Sequence, residues 1–276
     1  MFMEKLVVLG TGNASARRNY NTCFVLDDGQ GNLLLVDGGG GNRIFDQLDG
    51  AGVSLAAIHS AVLSHAHTDH LLGMLWVLRA VADMMRRGVY EGEFTLYCHA
   101  ELVSFVNMFI AMSFDAGARS LFGARIFMRE VVDGETLDIA GHRVTFFDLG
   151  STKLRQFGFA LSLHAGRRLV FSGDEPLCPA ACALVHGADW LLAEAFCLSG
   201  EAEYFRPYEK HHSTVADACR LAQSLDVKNL VLWHTEDTHG PQRRQLYEAE
   251  GRRFFSGNLF VPDDLETICL SGKVRR

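Results

Sequence analysis

The chain has 276 residues, of which 48% are hydrophobic and 21% charged, with a formal net charge of -7. These proportions describe a globular protein with a sizeable core, and the acidic balance argues against a surface that coats nucleic acid, which depends on Lys and Arg neutralising phosphates. The longest apolar stretch, residues 71–85, is broken by Arg79 and Asp83 and falls short of a membrane span, and the apolar run 6–9 is too short for a signal-peptide core. The seven cysteines are odd in number, form no C-x-x-C pair and sit among apolar neighbours. That usage fits reduced core thiols and a cytoplasmic location with no membrane partner.

In chain order, strands are expected over 5–9, 22–26 and 33–36, with Asp27-Asp28-Gly29 as a hairpin turn. The glycine run 38–41 lacks the Lys-Ser/Thr of a phosphate loop and the helix-opening G-x-G-x-x-G form, so it reads as a flexible turn. The apolar run 61–64 reads as a buried strand, and it ends on His65-Ala66-His67-Thr68-Asp69-His70. Four metal-binding side chains thus fall within six residues. A chain leaving a strand in a tight turn can aim alternate side chains at one point. Imidazole nitrogen and carboxylate oxygen are the donors that zinc, manganese or iron accept in hydrolytic sites.

Helices are expected over 71–85 and 100–114, and strands over 144–147, 159–163, 169–171 and 190–192. A further helix over 214–225 places Val215, Ala218, Cys219, Ala222 and Leu225 on one face, with Ser213 as its N-cap. A strand over 230–233 follows. Strands early and late with helices between and after them predict sheets covered by helices, in one layered domain spanning 1–276.

Ligand-type residues recur where short apolar runs end: His65 after 61–64, Asp174 after 169–173 and His234 after 230–233. Adjacent strands bring equivalent ends to one edge, so these residues are predicted to converge on one metal centre. His211-His212-Ser213-Thr214 opens the 214–225 helix, where backbone N–H groups favour anions. A histidine there can steady a phosphate or give a proton to a leaving group. Lys153 and Arg155 lie near enough to attract phosphate, or are ordinary solvated charges. Glu194 follows an apolar run and, if buried, needs a partner such as His212.

The pattern His65-x-His67-x-Asp69-His70, the Ser172-Gly173-Asp174 turn and the late His234 resemble the metallo-β-lactamase superfamily. Leu9-Gly10-Thr11-Gly12 and Val36-Asp37-Gly38 are similar to it as well, and His212-Ser213-Thr214 resembles its ribonuclease Z-like and phosphodiesterase branch. The resemblance implies an α/β four-layer αβ/βα sandwich, two mixed sheets covered by helices, with zinc between them and manganese or iron as alternatives. It implies that His65 and His67 hold one ion, that Asp69, His70 and His234 hold a second, and that Asp174 bridges them. Asp69 would orient a metal-bound hydroxide, His212 would supply the proton, and His211 and Lys153 would meet the substrate. It also implies a homodimer.

One departure is plain. The family takes a further histidine from the segment before a Phe/Tyr-Gly-Phe/Tyr strand start. Here Phe157-Gly158-Phe159 is present, but Gly150, Ser151 and Thr152 occupy the histidine's neighbourhood. The first ion is left with His65, His67 and Asp174, so one or two ions are expected. The function implied is a metal-dependent hydrolase, a phosphodiesterase acting on a small phosphodiester or a nucleic-acid end, with small or nucleotide-type substrates favoured over nucleic acid. The same ligands serve thioesterases and lactonases, and the missing histidine also allows a metal-binding protein without catalysis.

Overall fold

The computed structural model describes residues 3–270. The chain begins with β1 (Lys5–Gly10), β2 (Cys23–Asp27) and β3 (Leu33–Val36), then α1 (Ile44–Gly50), β4 (Ile58–Val62) and α2 (Thr68–Arg86). Next come β5 (Phe94–Cys98), α3 (Ala100–Ser113), the single turn α4 (Ala116–Arg119) and β6 (Ile126–Glu130). The second half opens with β7 (Thr136–Ile139), β8 (His142–Asp148), β9 (Phe157–Ser162) and β10 (Arg168–Phe171). It continues through α5 (Pro179–Val185), β11 (Trp190–Glu194), α6 (Ala202–Phe205), α7 (Val215–Ser224), β12 (Asn229–Trp233), α8 (Arg243–Gly251) and β13 (Asn258–Phe260). Finally β14 (Thr267–Cys269) returns to pair with β1.

Two seven-stranded sheets result, in the orders β14-β1-β2-β3-β4-β5-β6 and β13-β12-β11-β10-β9-β8-β7. In each, three antiparallel pairings give way to three parallel ones, at β3 in the first sheet and β10 in the second. Alternating side chains decide what each face buries. Leu6, Val8, Phe24, Leu26, Leu34 and Val36 face the second sheet, where they meet Phe159, Leu161, Phe171, Leu192 and Trp233. Val7, Leu9, Val25 and Leu35 point the other way, onto α2 and α3. The outer face of the second sheet packs Val170, Leu191, Leu230 and Leu232 against α5, α7 and α8. The order of layers is helix, sheet, sheet, helix, as the resemblance implied.

Three aromatic rings join the sheets beneath the strand ends. Trp233 stacks on Phe24 with centroids 4.8 Å apart, and Phe171 packs edge-on to both. The residues that follow Phe171 and Trp233 carry Asp174 and His234, so this joint sets the spacing of the site.

Most expected elements are present, with instructive shifts. The helix expected over 71–85 begins at Thr68, which places Asp69 and His70 on its first turn rather than in a loop. A carboxylate there meets the positive end of the helix dipole. The strand expected over 61–64 is Ile58–Val62, so the last residues before His65 are already leaving the sheet. The N-cap of α7 is Thr214, not Ser213: Thr214 and Asp217 exchange hydrogen bonds in a capping box, while the Ser213 amide is taken by Glu194. The hairpin at Asp27-Asp28-Gly29 forms because Asp28 Oδ1 accepts from the Gln30 and Asn32 amides. Among the described residues no helix is long and apolar enough to cross a membrane.

Candidate metal centre

Five strands, β3, β4, β10, β11 and β12, end at the same edge of the sandwich, and the polar residues just beyond them meet there. The carboxyl ends of parallel strands are where open α/β sheets carry their ligands. Backbone contacts draw the first sheet's loops together. Gly38 N donates to His70 O and Gly73 N to Gly39 O, so the first turns of α2 lie directly on the loop after β3. A Cβ on Gly73 would lie 1.7 Å from Gly38 O, which is why the crossing needs glycine.

Asp37, just after β3, organises the histidines. It is 1% exposed and accepts from Ser64 N at 2.8 Å, Ser64 Oγ at 2.7 Å and His70 Nδ1 at 2.8 Å. The hydroxyl proton of Ser64 is committed to Asp37, so the 2.9 Å contact between Ser64 Oγ and His65 Nδ1 requires the imidazole to donate. Both His65 and His70 therefore carry a proton on Nδ1, so that in the neutral ring, the form a cation binds, Nε2 is the bare nitrogen. Carboxylates behind metal-ligating imidazoles act in this way.

Those bare nitrogens converge. His65 Nε2 lies 2.9 Å from His67 Nδ1, and Asp174 Oδ2 is 3.4 Å from the first and 3.7 Å from the second. Asp69 Oδ2 faces His70 Nε2 at 3.5 Å, with His234 Nε2 3.9 Å from the same oxygen. Asp174 Oδ2 is also 3.6 Å from His70 Nε2 and 3.5 Å from His234 Nε2, so one oxygen stands among four imidazoles. Two sets of donors emerge, His65–His67–Asp174 and Asp69–His70–His234.

The donors fit a divalent cation. Asp69 Oδ2 and His70 Nε2 are buried without any hydrogen-bond partner, an arrangement that costs free energy unless something electropositive sits between them. His70 shows the tension. Burial lowers its pKa, yet Asp69 and Asp37 together hold it well above the ordinary histidine value. Burial likewise raises Asp174 and Asp69, but the surrounding histidines hold both carboxyls below their usual range. His234 is pushed down to about 3 by burial, so its ring is neutral near pH 7. His234 and Asp37 both have positive φ, 55° and 57°. Strained backbone of this kind persists where the surroundings over-determine it, commonly at functional sites.

His212 forms one wall. Its Nδ1 donates to Asp174 O at 2.9 Å and lies 3.7 Å from Glu194 Oε2, leaving Nε2 as the unassigned nitrogen. Phe196 stacks on the ring at 5.0 Å and 4°. Burial lowers the pKa of His212 and raises that of Glu194 well above the carboxylate range. The cleft over the two donor sets has a volume of about 380 Å³ and is bordered by Asn13, Ser15, His67, Asp69, Lys210 and His212.

Two residues expected to meet the substrate, Lys153 and His211, do not border this cleft. Lys153 is absent from that border because its ammonium donates to the Lys210 carbonyl; Lys210 stands in the cleft instead, its ammonium 4.9 Å from the Phe196 ring centroid. His211, with φ 58°, opens onto an adjoining cleft with Ser151, Thr152 and Tyr208. Asp37 carried no assigned role in the sequence, and Lys210 and Gln156 were not singled out. Only the Val36-Asp37-Gly38 similarity hinted at the first.

A family model described as a beta-lactamase superfamily domain matches residues 34–235, from β3 to the residue after His234. The chain belongs to the metallo-β-lactamase superfamily. Its likeness extends over nearly its whole length to a ribonuclease Z of Thermobifida fusca, 26% identical, covering 99% of this chain and 96% of that one. Among solved structures, the metallo-β-lactamase fold protein YhfI from Bacillus subtilis superposes with a TM-score of 0.77 at 16% identity, covering 97% and 99% of the two chains. Human tRNase Z, short form, gives 0.70 at 20% identity and covers 96% and 98%. His212-Ser213-Thr214 stands immediately ahead of α7, with Thr214 as its N-cap.

Proposed function

We propose that the protein is a metal-dependent phosphodiesterase that cleaves a small phosphodiester or a nucleic-acid end, with zinc as its ion. The observation that carries this reading is His212, held by its Nδ1 on the Asp174 carbonyl at the rim of the two donor sets. His65, His67 and Asp174 would hold one ion, and Asp69, His70 and His234 the other. Divalent ions held there would supply Lewis acidity, lowering the pKa of bound water and offsetting charge on phosphoryl oxygens.

The chain's own residues do the rest. His212 keeps a proton on Nδ1, so Nε2 is the atom that would carry the second proton of the charged ring and pass it to the departing oxygen, leaving the ring neutral. Glu194 Oε2, 3.7 Å from Nδ1, packs beside the ring on the side away from Nε2. Burial lowers the His212 pKa, which makes the charged ring a stronger acid and favours its protonated form only toward acidic pH. Lys210 brings a positive charge to the cleft wall, suited to a phosphate oxygen. Similarity to a ribonuclease Z supports phosphorus over a carbonyl substrate. The exposed Leu72, Trp76, Met108 and Met112 on α2 and α3 give a homodimer an apolar face to close on. The free buried thiols Cys23, Cys98, Cys197 and Cys219 suit the cytoplasm.

The test is turnover of bis(p-nitrophenyl) phosphate by protein loaded with zinc, manganese or iron, beside a His212→Ala variant and a panel of thioesters and lactones. Metal-dependent diester cleavage that falls about 100-fold or more in the variant, with its metal content unchanged, supports the reading. Faster turnover of a thioester or lactone would overturn it, as would silence with every metal.

A further inference from the structure

The segment that lacks the expected imidazole contributes an amide to the same place. Gln156 immediately precedes β9 and is 1% exposed. Its Nε2 donates to Asp174 Oδ1, and its Oε1 accepts from Asp174 N at 3.0 Å. This pairing fixes the orientation of the amide: the Asp174 amide can only donate and its carboxylate can only accept, so a flipped amide would lose both bonds.

The backbone is built around the contact. Gly173 has φ +68°, and a Cβ there would lie 2.1 Å from Gln156 Oε1. On the other side, Phe157 N donates to Ser64 O at 3.1 Å and Leu149 N to Gln156 O at 2.9 Å. Gln156 is thereby tied to the strand end that carries His65 as well as to the loop that carries Asp174.

A carboxylate has two oxygens, and here one is taken. With Oδ1 on the Gln156 amide, only Oδ2 faces the imidazoles of His65, His67, His70 and His234, at 3.4, 3.7, 3.6 and 3.5 Å. We propose that Gln156 is a positioning residue that clamps the Asp174 carboxylate with Oδ2 toward both donor sets, so that the His65–His67 side holds an ion without a third imidazole. This rests on the metal-centre reading above.

The experiment uses cobalt(II) alone as the probe, on wild type, Gln156→Leu and Gln156→Glu. Leucine removes both bonds, while glutamate keeps an acceptor for Asp174 N and loses the donor to Oδ1. Affinity is read by chelator competition, geometry by the visible cobalt spectrum, and fold integrity by thermal melts in EDTA. Both variants are expected to lose about 10- to 100-fold in affinity for the weaker ion, with an altered spectrum and a folded baseline. Cobalt affinity and spectra equal to wild type in the folded variants would overturn the proposal, even if their EDTA melts fall, because Gln156 would then serve only packing. Wild type that takes up no cobalt would overturn the metal-centre reading first, and this proposal with it.

Discussion

Replacing Asp37 by Asn tests whether the proton positions on the histidines are set from behind. The change keeps size and shape in a site that is 1% exposed. Asparagine Oδ1 can still accept from Ser64 N, which lies 2.8 Å from Asp37 Oδ1. Its NH₂ then faces Ser64 Oγ and His70 Nδ1, at the 2.7 and 2.8 Å positions where the carboxylate accepted. Ser64 must turn its proton toward His65 Nδ1, and His70 must accept rather than donate at Nδ1. Both rings would then carry their proton on Nε2, the atom aimed at the cation. Retaining the working tautomers instead forfeits a hydrogen bond to a charged group, about 1.5–3 kcal/mol. At about 1.4 kcal/mol per tenfold, that is roughly 10- to 100-fold in zinc affinity. Chelator competition measures the affinity, and nitrogen-15 NMR of the histidine rings reads which nitrogen is protonated. An Asn variant with wild-type affinity and protons still on Nδ1 would refute the reasoning.

Other expectations concern the scaffold and its pH response. Trp233→Ala removes the fully buried ring that stacks on Phe24 and should cost about 3–5 kcal/mol in a chemical denaturation curve; a loss under about 1 kcal/mol would show that the aromatic joint does not hold the sheets. Thr214→Ala breaks the capping box of α7 and should cost about 1 kcal/mol, read as a lowered melting temperature at unchanged metal content. Glu194 is held protonated by burial well above its ordinary range. The unfolded chain gives up that proton at the ordinary carboxylate pKa, so the stability it confers is present below that value and lost as pH rises through the folded one. Glu194→Gln keeps an acceptor for Ser213 N and has no proton to lose. Its advantage over wild type, in melts with EDTA, should therefore grow from acid to neutral pH; parallel curves would contradict this.

The parts of the site most legible in the sequence were those carried by local spacing. His65, His67, Asp69 and His70 announce themselves because a short strand and the first turn of a helix bring all four to one point. Asp174 and His234 were legible by family resemblance and by analogy of position after apolar runs, and the parallel pairing of β10, β11 and β12 explains why that analogy works. Gln156 was not legible: a glutamine beside a strand start carries no signal until the Gly173 turn puts Asp174 against it. Lys153 and Lys210 could not be ranked from sequence, because the left-handed residues Arg206 and His211 decide how the segment before α7 wraps over the cleft. Of the interior strands most were plain, though β5, with its alternating buried and half-buried residues, was not expected. The edge strands β6, β7, β13 and β14 were not, since short, half-exposed runs show little alternation.

His65, His67, Asp69 and His70 come from one seven-stranded sheet and its helix, while Asp174 and His234 come from the other. Either half alone would offer an ion at most a fragment of a coordination shell. A cation held by both sets would therefore act as a rivet through the two halves, formed only once they have docked. Because such an ion favours the docked form alone, a hundredfold excess over its dissociation constant would deepen the native well by about 2.7 kcal/mol. Chelation should accordingly loosen the join between the sheets before it loosens either sheet.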